Sequence, residues 1–185
     1  MTRAASRKSA GIARGQEHIA GILITRAEKV LWPRDGKNGP FTKSDLAHYY
    51  EAAAERILPH IAGRPLSMVR APDGIEGERF FQRHVLPGVE GAVPIQVPGE
   101  PKPYHSVNSI EALVALAQVA VLEFHPWGCR KDEPDIPERV IFDLDPDPEL
   151  PFERVIEAAK DMRSRLKACG RTPFVKTTGC KGLHV

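Results

Sequence analysis

The sequence predicts a mixed α/β fold, and three features of the chain support this prediction. Two long segments, one near each end, space their apolar residues as amphipathic helices do. Short apolar runs bounded by proline and glycine lie between them and are typical of strands. Towards the C-terminus, patterns of strand, helix and strand follow one another, which is the order of an α/β module. We therefore expect mixed central sheets flanked by helices.

Length and composition limit the class of protein. A chain of 185 residues with 42% hydrophobic residues fits one domain with a sizeable core. The net charge is +2, so any nucleic-acid binding must come from local patches. Three cysteines without a Cys-x-x-Cys pair favour reduced thiols in the cytoplasm. No apolar run reaches membrane-spanning length, so we expect no membrane partner.

The first 17 residues differ from the rest of the chain. They carry arginine and lysine among Ser, Ala and Gly, with no acidic residue before Glu17 and no hydrophobic period. This pattern predicts a flexible basic tail over residues 1–17 and a folded domain over residues 18–185. The tail could contact DNA phosphates or serve as an organellar presequence.

Capping residues and apolar runs define the elements of the first half. A strand is predicted at Ile19–Ile24. The capping box Thr42-Lys43-Ser44-Asp45 predicts a helix that ends at Pro59. Leu66–Arg70 is predicted as a strand, and the region rich in proline and glycine from Leu86 to Pro103 as a long loop with at most edge strands.

The middle of the chain contains an aromatic pair and a long apolar run. Phe80 and Phe81 stand beside basic residues, and aromatics so placed can stack on bases while the cations neutralise phosphates. The alternative is that one phenylalanine lies in the core and the other covers a sheet edge. A mostly buried helix is expected from Asn108 to Phe124, with His125 at its C-terminal end.

The strand pattern Val140–Asp145 places two carboxylates in an apolar run. Residues i and i+2 of a strand share a face, so Asp143 and Asp145 are expected to point the same way, about 6.6 Å apart along the backbone. Such a pair can bridge two divalent cations that hold a triphosphate and an attacking hydroxyl in line. A strand end that runs into the Asp145–Pro148 turn is the simpler alternative. A haloacid-dehalogenase-type phosphatase motif is a further one, although Pro146 stands where that motif has glycine.

A helix and a glycine loop follow the acidic strand. The apolar residues of Phe152–Leu166 predict an amphipathic helix, and strands are expected at Phe174–Thr177 and from Leu183 onward. The loop Thr178–Gly182 has two glycines, a hydroxyl and a lysine, which suit a phosphate cradle, although a hairpin turn fits it as well. We expect this loop and the acidic strand to converge at one sheet edge.

These two motifs together resemble the polymerase domain of bacterial DNA ligase D, a member of the archaeo-eukaryotic primase superfamily. Its motifs look like Phe-Asp-Leu-Asp-Pro and Ser-Gly-x-Lys-Gly-x-His. Further matching segments stand in the same order, and the resemblance extends from about Ile19 to the end of the chain. They are Lys29–Pro33, Thr42-Lys43, Tyr49-Tyr50, Gly63–Pro65, Arg70–Gly74, Phe80-Phe81 and Glu123–Trp127.

The resemblance implies an archaeo-eukaryotic primase-like fold and a template-dependent nucleotidyltransferase. Such an enzyme adds nucleotides, preferentially ribonucleotides, at DNA breaks in nonhomologous end joining. Asp143 and Asp145 would be the catalytic metal ligands, with Mn²⁺ preferred and Mg²⁺ also accepted. The nucleoside triphosphate would be held by a second group of residues, His125, Thr178, Lys181 and His184.

The resemblance also implies contacts with DNA and with other repair proteins. Lys29 and Lys43 would bind the 5′-phosphate of gaps or overhangs, and Arg70, Phe80 and Phe81 would contact the template. Arg26 departs from the family, which often has asparagine at this position. The implied partners are DNA ends, nucleoside triphosphates, the Ku end-binding protein and a ligase domain in cis or in trans. The implied location is the bacterial cytoplasm, at the nucleoid.

The family's third catalytic aspartate has no counterpart after Asp147 outside the predicted helix and its approach. We therefore expect the C-terminal part of the domain to be missing and residues 1–185 alone to be inactive. A non-catalytic DNA-end-binding module is the principal alternative function, and the phosphatase is the third.

Overall fold

A computed structural model describes residues 15–86, 89–179 and 181–185. The chain divides into two compact units, the first ending at Ile136 and the second beginning at Pro137. The predicted tail over residues 1–17 lies mostly outside the described residues. Strand β1 already covers Gln16–Ile19, so the folded domain begins before the predicted boundary, because Gln16 and Glu17 pair with the next strand.

The first unit has two helices and several small sheets. Helix α1 spans Lys43–Ile61 and helix α2 spans Ile110–Gln118. Before α1 come β2 (Ile22–Thr25), β3 (Val30–Trp32) and β4 (Phe41–Thr42). The later strands are β5 (Leu66–Arg70), β6 (Phe80–Gln82), β7 (Val93–Ile95), β8 (Tyr104–Ser106), β9 (Val121–Pro126), β10 (Cys129–Arg130) and β11 (Glu133–Pro137), whose last residue opens the second unit.

Two element predictions in this part of the first unit need correction. The single strand predicted at Ile19–Ile24 is a hairpin, because Ala20 and Gly21 take positive φ angles and turn the chain between β1 and β2. Helix α1 continues two residues past Pro59. The loop predicted from Leu86 to Pro103 contains β7, an edge strand as the prediction allowed.

The predicted helix from Asn108 to Phe124 is wrong in its second half. Ser109, not Asn108, caps the helix, and its side chain accepts the hydrogen bond from Ala112 N. The helix ends at Gln118, Ala120 takes a φ of 54°, and β9 then begins. A continuous apolar run cannot distinguish a buried helix from a buried strand by its periodicity. His125 therefore lies on a strand, and so do its neighbours.

The main sheet of the first unit is antiparallel and surrounds β5. Its order is β6-β5-β8-β7, and β9 pairs with β5 as well. Met68 pairs with Phe124, and Phe124 packs against the core that α1 and α2 cover. Tyr50 of α1 donates a 2.6 Å hydrogen bond to the Val121 carbonyl, and burial raises the pKa of its phenol. The core fixes β9 and leaves the Val69–Phe81 side of the sheet for other contacts.

The second unit is a small sheet with one helix. Its strands β12 (Asp143–Leu144), β13 (Lys176–Thr177) and β14 (Leu183–His184) form a sheet of order β12-β14-β13. Helix α3 spans Phe152–Ala168 and ends before Gly170, which takes a φ of 70°. The predicted helix and the strand at Leu183 are confirmed, while the strand predicted at Phe174–Thr177 is limited to its last two residues. No helix in the described ranges is long and apolar enough to cross a membrane.

Candidate active site and DNA-end contacts

The acidic strand is shorter and more exposed than its sequence predicts. Only Asp143–Leu144 forms β12, and reciprocal hydrogen bonds between Phe142 and Val185 extend the pairing by one residue. Phe142, which precedes the strand, is 37% exposed. Both carboxylates are solvent-exposed, at 64% for Asp143 and 63% for Asp145. A metal ion or a substrate can therefore reach them.

The glycine loop and the acidic strand converge, as expected. Asp143 pairs with His184 and Leu144 with Leu183 across the antiparallel ladder. A Cβ atom at Gly182 would lie 2.9 Å from the Leu144 carbonyl oxygen, closer than any side chain tolerates. Only glycine therefore allows the two strands to approach this closely at residue 182.

The loop combines features of a hairpin turn and of a cradle. The Thr178 hydroxyl donates to the Gly182 carbonyl at 3.0 Å, and the Thr178 N–H donates to the same oxygen at 3.4 Å. Gly179 takes a φ of 87°, which favours glycine. Because the Thr178 donors are used within the loop, the cationic side chain of Lys181 is the stronger candidate for binding an anion.

Lys181 and His184 each lie beside one of the two carboxylates. The Lys181 ammonium Nζ lies 3.5 Å from Asp145 Oδ1 and donates to the Pro146 carbonyl at 2.9 Å. His184 Nε2 lies 3.4 Å from Asp143 Oδ1, and its Nδ1 is buried with no partner among the described residues. Exposed pairs of this kind stabilise the fold by about 1 kcal/mol or less. The groups are therefore free to exchange partners for a metal ion or a phosphate.

The donor chemistry of this cluster fits a hard divalent cation. Carboxylate oxygens are the ligands that Mg²⁺ and Mn²⁺ prefer in proteins, and Asp143 and Asp145 supply them. In the part of the chain that the structure describes, no group of three or more metal-ligating side chains occurs. The two aspartates would hold an ion with help from other ligands such as water or substrate oxygens.

The first unit contains a cationic cluster around Lys43. Lys43 is only 4% exposed, and its Nζ donates to the Thr25 carbonyl at 3.0 Å. Burial lowers the pKa of its ammonium, and the charges of Arg26 and Lys29 lower it further. Lys29 donates to Asp73 Oδ1 at 2.8 Å, which lowers the pKa of that carboxyl. A buried ammonium beside two other cations is a favourable place for an anion to bind.

The first turn of α1 does not supply free backbone donors. The N–H of Lys43 donates to the Lys29 carbonyl, and that of Ser44 donates to the Ala27 carbonyl. The Asp45 N–H donates to the Thr42 hydroxyl, which completes the predicted capping box. Any anion at this end of the helix must therefore be bound by side chains.

The aromatic pair lies on both faces of β6. Phe80 pairs with Arg70, and Phe81 pairs with Val69, so the two rings point to opposite faces of the sheet. Both are exposed, Phe81 by 57%, so the alternative of one core phenylalanine is wrong. Arg70 donates from Nε to the Val119 carbonyl at 3.0 Å, and burial lowers its pKa. Phe81 and not Phe80 shares its face with His125.

A chain of contacts runs across the Phe81 face. The Phe81 and His125 rings meet edge to face at 5.8 Å, and the Arg83 guanidinium lies 5.6 Å from the Phe81 centroid. His125 Nε2 lies 3.1 Å from Glu123 Oε2. The helix predicted through Phe124 hid Glu123, because i and i+2 share a face in a strand but not in a helix. Asp73 was missed because only the folded chain shows its pairing with Lys29.

Comparisons with known proteins support a single family. A family model described as LigD, primase-polymerase domain, matches residues 42–185. The chain is 37% identical over 187 residues to the multifunctional non-homologous end joining protein LigD of Pseudomonas aeruginosa, covering 99% of this chain and 21% of that protein. The chain belongs to the LigD primase-polymerase domain family.

Other members of the LigD family extend the match. The multifunctional non-homologous end joining DNA repair protein LigD of Mycobacterium tuberculosis is 34% identical over 176 residues, covering 89% of this chain and 22% of that protein. A solved structure of the polymerase domain from Mycobacterium tuberculosis ligase D in complex with DNA matches with a TM-score of 0.75 and 33% identity. It covers 88% of this chain and 59% of that chain.

The matches define the fold and the general chemistry. The predicted archaeo-eukaryotic primase fold is confirmed by the structural match. LigD polymerase domains are metal-dependent nucleotidyltransferases of non-homologous end joining. The chain spans about a fifth of the length of the curated relatives that it matches.

Proposed function

We propose that this chain is part of a template-dependent nucleotidyltransferase that adds nucleotides, preferentially ribonucleotides, at DNA breaks. The observation that carries the proposal is the convergence of the acidic strand and the glycine loop in a chain of the LigD family. There Asp143 stands opposite His184, and Lys181 Nζ lies 3.5 Å from Asp145 Oδ1. Lys181 and both carboxylates are exposed and His184 is partly buried, and opposite charges placed side by side in this way suit a site that receives a cation and a triphosphate together.

In this proposal Asp143 and Asp145 hold the divalent metal, with Mn²⁺ preferred over Mg²⁺. A bound metal stabilises the charge that develops on the transferred phosphoryl group and orients the attacking hydroxyl. The chain's own contribution is the fixed strand pairing that keeps both carboxylates beside Lys181. Asp143 and Asp145 would hold the cation, and Lys181 beside them would then be available to a phosphate.

The nucleoside triphosphate is bound by cationic and hydroxyl groups from several elements. Lys181 provides positive charge for its phosphates, and His184 on β14 is a further phosphate ligand. His125 on β9 is also a candidate contact. Thr178 lies near the sugar hydroxyls, where a hydroxyl side chain can distinguish a ribose from a deoxyribose. Thr178, Lys181 and His184 belong to the second unit, and His125 of the first unit is a separate candidate contact of the nucleotide.

The DNA end is recognised by the first unit. Lys29 and Lys43 bind the 5′-phosphate, since the ammonium of Lys43 is buried among like charges and makes one hydrogen bond, to Thr25 O. Phe81 and Phe80 contact the template by stacking, and Arg70 contributes a positive charge nearby. The partners are DNA ends with 5′-phosphorylated gaps or overhangs, Ku and a ligase domain in cis or in trans. The reaction takes place in the bacterial cytoplasm, at the nucleoid.

The test is ribonucleotide addition to a primer on gapped, 5′-phosphorylated DNA with Mn²⁺. Residues 1–185 are compared with a version continued through the rest of a LigD polymerase domain, and we expect turnover from the longer protein alone. Asp143→Asn and Asp145→Asn should each lower its rate at least about 100-fold, because a charge-stabilising group at the reacting atoms is lost. Asp161→Asn on α3, an exposed carboxylate paired with Arg165, is the matched control.

Two results would contradict parts of this proposal. Most of the rate remaining in Asp143→Asn would show that the acidic strand is not the catalytic site. Equal turnover by residues 1–185 would show that a third carboxylate is not needed.

A second candidate function is a DNA-end-binding module without chemistry. One observation favours it: among the described residues, no three metal-ligating side chains come together. In that case both proteins would bind phosphorylated ends tightly, and neither would extend a primer.

A further inference from the structure

Glu123 is an acidic side chain that the proposed function leaves without a role. It lies two residues before His125 on β9, so both side chains point to the same face of the sheet. Its Oε2 lies 3.1 Å from His125 Nε2. The two side chains are each about half exposed, at 52% and 49%. The pair is thus accessible to a ligand, and its two side chains are already hydrogen-bonded to each other.

The neighbouring strands restrain this pair from a second direction. Val69 of β5 lies between Glu123 on one side and Phe81 on the other. The Phe81 ring meets the His125 ring at 5.8 Å with an angle of 62° between their planes. In the described part of the chain, Nε2 is the only ring nitrogen of His125 with a hydrogen bond. Its Nδ1 remains for another partner.

We infer that Glu123 is a positioning residue: its carboxylate accepts the Nε2–H hydrogen bond of His125, and the Nδ1–H of the imidazolium then donates to a phosphate oxygen. An exposed imidazole turns freely about two bonds, and fixing it before binding reduces the entropy lost on binding. The inference rests on the proposed function, because it assumes that His125 contacts the triphosphate. Glu123 thereby becomes part of the proposed nucleotide contact as a hydrogen-bond acceptor, a role that a carboxylate or a carboxamide oxygen can perform.

Charge alone would act in the opposite direction. A carboxylate near a triphosphate repels it, so a purely electrostatic role predicts tighter nucleotide binding whenever Glu123 is neutralised. Positioning predicts that the substituent matters, because glutamine still accepts the hydrogen bond through its Oε1 while alanine cannot. Two neutral replacements of one residue therefore separate the two explanations.

The experiment titrates ATP with Mg²⁺ into residues 1–185 by calorimetry. Glu123→Ala should weaken binding about two- to tenfold, the loss expected for one hydrogen bond, whereas Glu123→Gln should bind as tightly as the parent or more tightly. Glu133→Ala on β11 is the matched control, since that side chain is also exposed. In the His125→Ala background, Glu123→Ala should not weaken binding further, because Glu123 then has no imidazole to position.

A spectroscopic readout tests the contact without nucleotide. The imidazole nitrogen resonances of His125, identified by their loss in His125→Ala, should report Nε2–H hydrogen bonding in the parent and in Glu123→Gln. Glu123→Ala should lose that signature. Thermal denaturation of each variant confirms that the exposed substitution leaves the fold intact.

Different results would overturn different claims. Unchanged resonances in Glu123→Ala would overturn the positioning role. The positioning role would also be overturned if Glu123→Ala bound ATP as tightly as the parent, or more tightly, while His125→Ala bound it more weakly. That result would leave the proposed function intact. Unaltered ATP affinity in His125→Ala would overturn both the inference and the proposed role of His125.

Discussion

The two units of the chain differ in how their side chains are buried. In the first unit, α2 is buried on nearly every side, and Leu113 and Leu116 have no exposed surface. In the second unit, Val155 and Leu183 are the buried apolar side chains of the described part. Phe174 there is 79% exposed. The candidate DNA-end contacts are thus supported by a well-packed hydrophobic core, whereas few buried apolar side chains support the candidate catalytic carboxylates.

This difference has a functional meaning. Binding a broken end requires a surface that is ordered before the DNA arrives, and a packed core provides one. The site for metal and triphosphate has charges that must rearrange, and elements with few buried contacts open most easily. Exposed apolar residues such as Val140 and Val175 also mark surface that another polypeptide segment could cover.

The largest expected effect would come from the core of the first unit. Leu113→Ala should lower the free energy of unfolding by about 2–5 kcal/mol, because Leu113 is fully buried and its removal leaves a cavity. Val155→Ala in α3 should lower it less, and chemical denaturation measures both. Equal losses would show that the second unit is packed as tightly as the first.

Hydrogen exchange would sharpen the comparison at the level of single amides. The amides of β12 and β14 should exchange with lower opening free energies than those of β5 and β9, because few apolar contacts hold the small sheet. Mass spectrometry of exchanged peptides, or amide NMR, resolves the two sheets. Protection of β14 equal to that of β5 would contradict this view.

Replacing Lys43 should have a smaller effect, which raises stability and weakens the recognition of a 5′-phosphate. Lys43→Met should raise the free energy of unfolding near neutral pH, because it removes a buried ammonium from beside Arg26 and Lys29 while keeping the side-chain volume. It should also abolish the preference for 5′-phosphorylated over unphosphorylated gapped DNA. Fluorescence titration with both DNAs checks the second effect, and Lys37→Met in the nearby loop is the control.

The pH dependence of this effect has a defined sign. The folded pKa of Lys43 lies below the ordinary value of 10.5, so the unfolded chain binds the proton more tightly. The stability gap between the parent and Lys43→Met should therefore narrow as the pH rises from neutrality towards 10.5. A gap that widened over this range would contradict the assigned pKa direction.

The smallest expected effect concerns the contact of β1 with α1. His48 Nε2 lies 3.0 Å from Glu17 Oε1, and the hydrogen bond with Glu17 raises the pKa of His48 above 6.5. This contribution is fully present below pH 6.5 and is lost as the pH rises through the folded pKa. Glu17→Gln should reduce that pH dependence, with Glu51 still raising the pKa of His48, and should lower stability by less than about 1 kcal/mol, as for other exposed pairs. Denaturation at pH 5.5 and 8.5 measures it.

The sequence predicts those parts of the fold that depend on local signals. The capping box at Thr42 and Asp45, the helix stopped before Gly170 and the strand Leu66–Arg70 are all confirmed. Each depends on residues within one or two turns of the element. The family and the fold follow from the two motifs at Asp143 and Lys181, and the comparisons confirm both.

The remaining features depend on partners distant in the chain. The boundary between α2 and β9 is set by the pairing of Val121–Pro126 with β5. Strand β5 lies about 55 residues earlier in the chain, so no local signal marks this boundary. The first backbone N–H groups of α1 already donate to the carbonyls of Ala27 and Lys29, which precede the helix by about 15 residues in the chain. The roles assigned to individual residues of the site, such as His125 and Lys29, stay predictions.

Gly182 makes it possible to silence the site without altering its charge. A methyl group there would meet the Leu144 carbonyl at 2.9 Å, and backbone cannot yield as a flexible side chain does. Gly182→Ala would push β14 away from β12 and displace Lys181 and His184 from the aspartates, while every ionisable group stays in the protein. A loss of nucleotide addition in this variant would show that activity depends on how Lys181 and His184 are placed relative to the aspartates, since all four side chains would still be present.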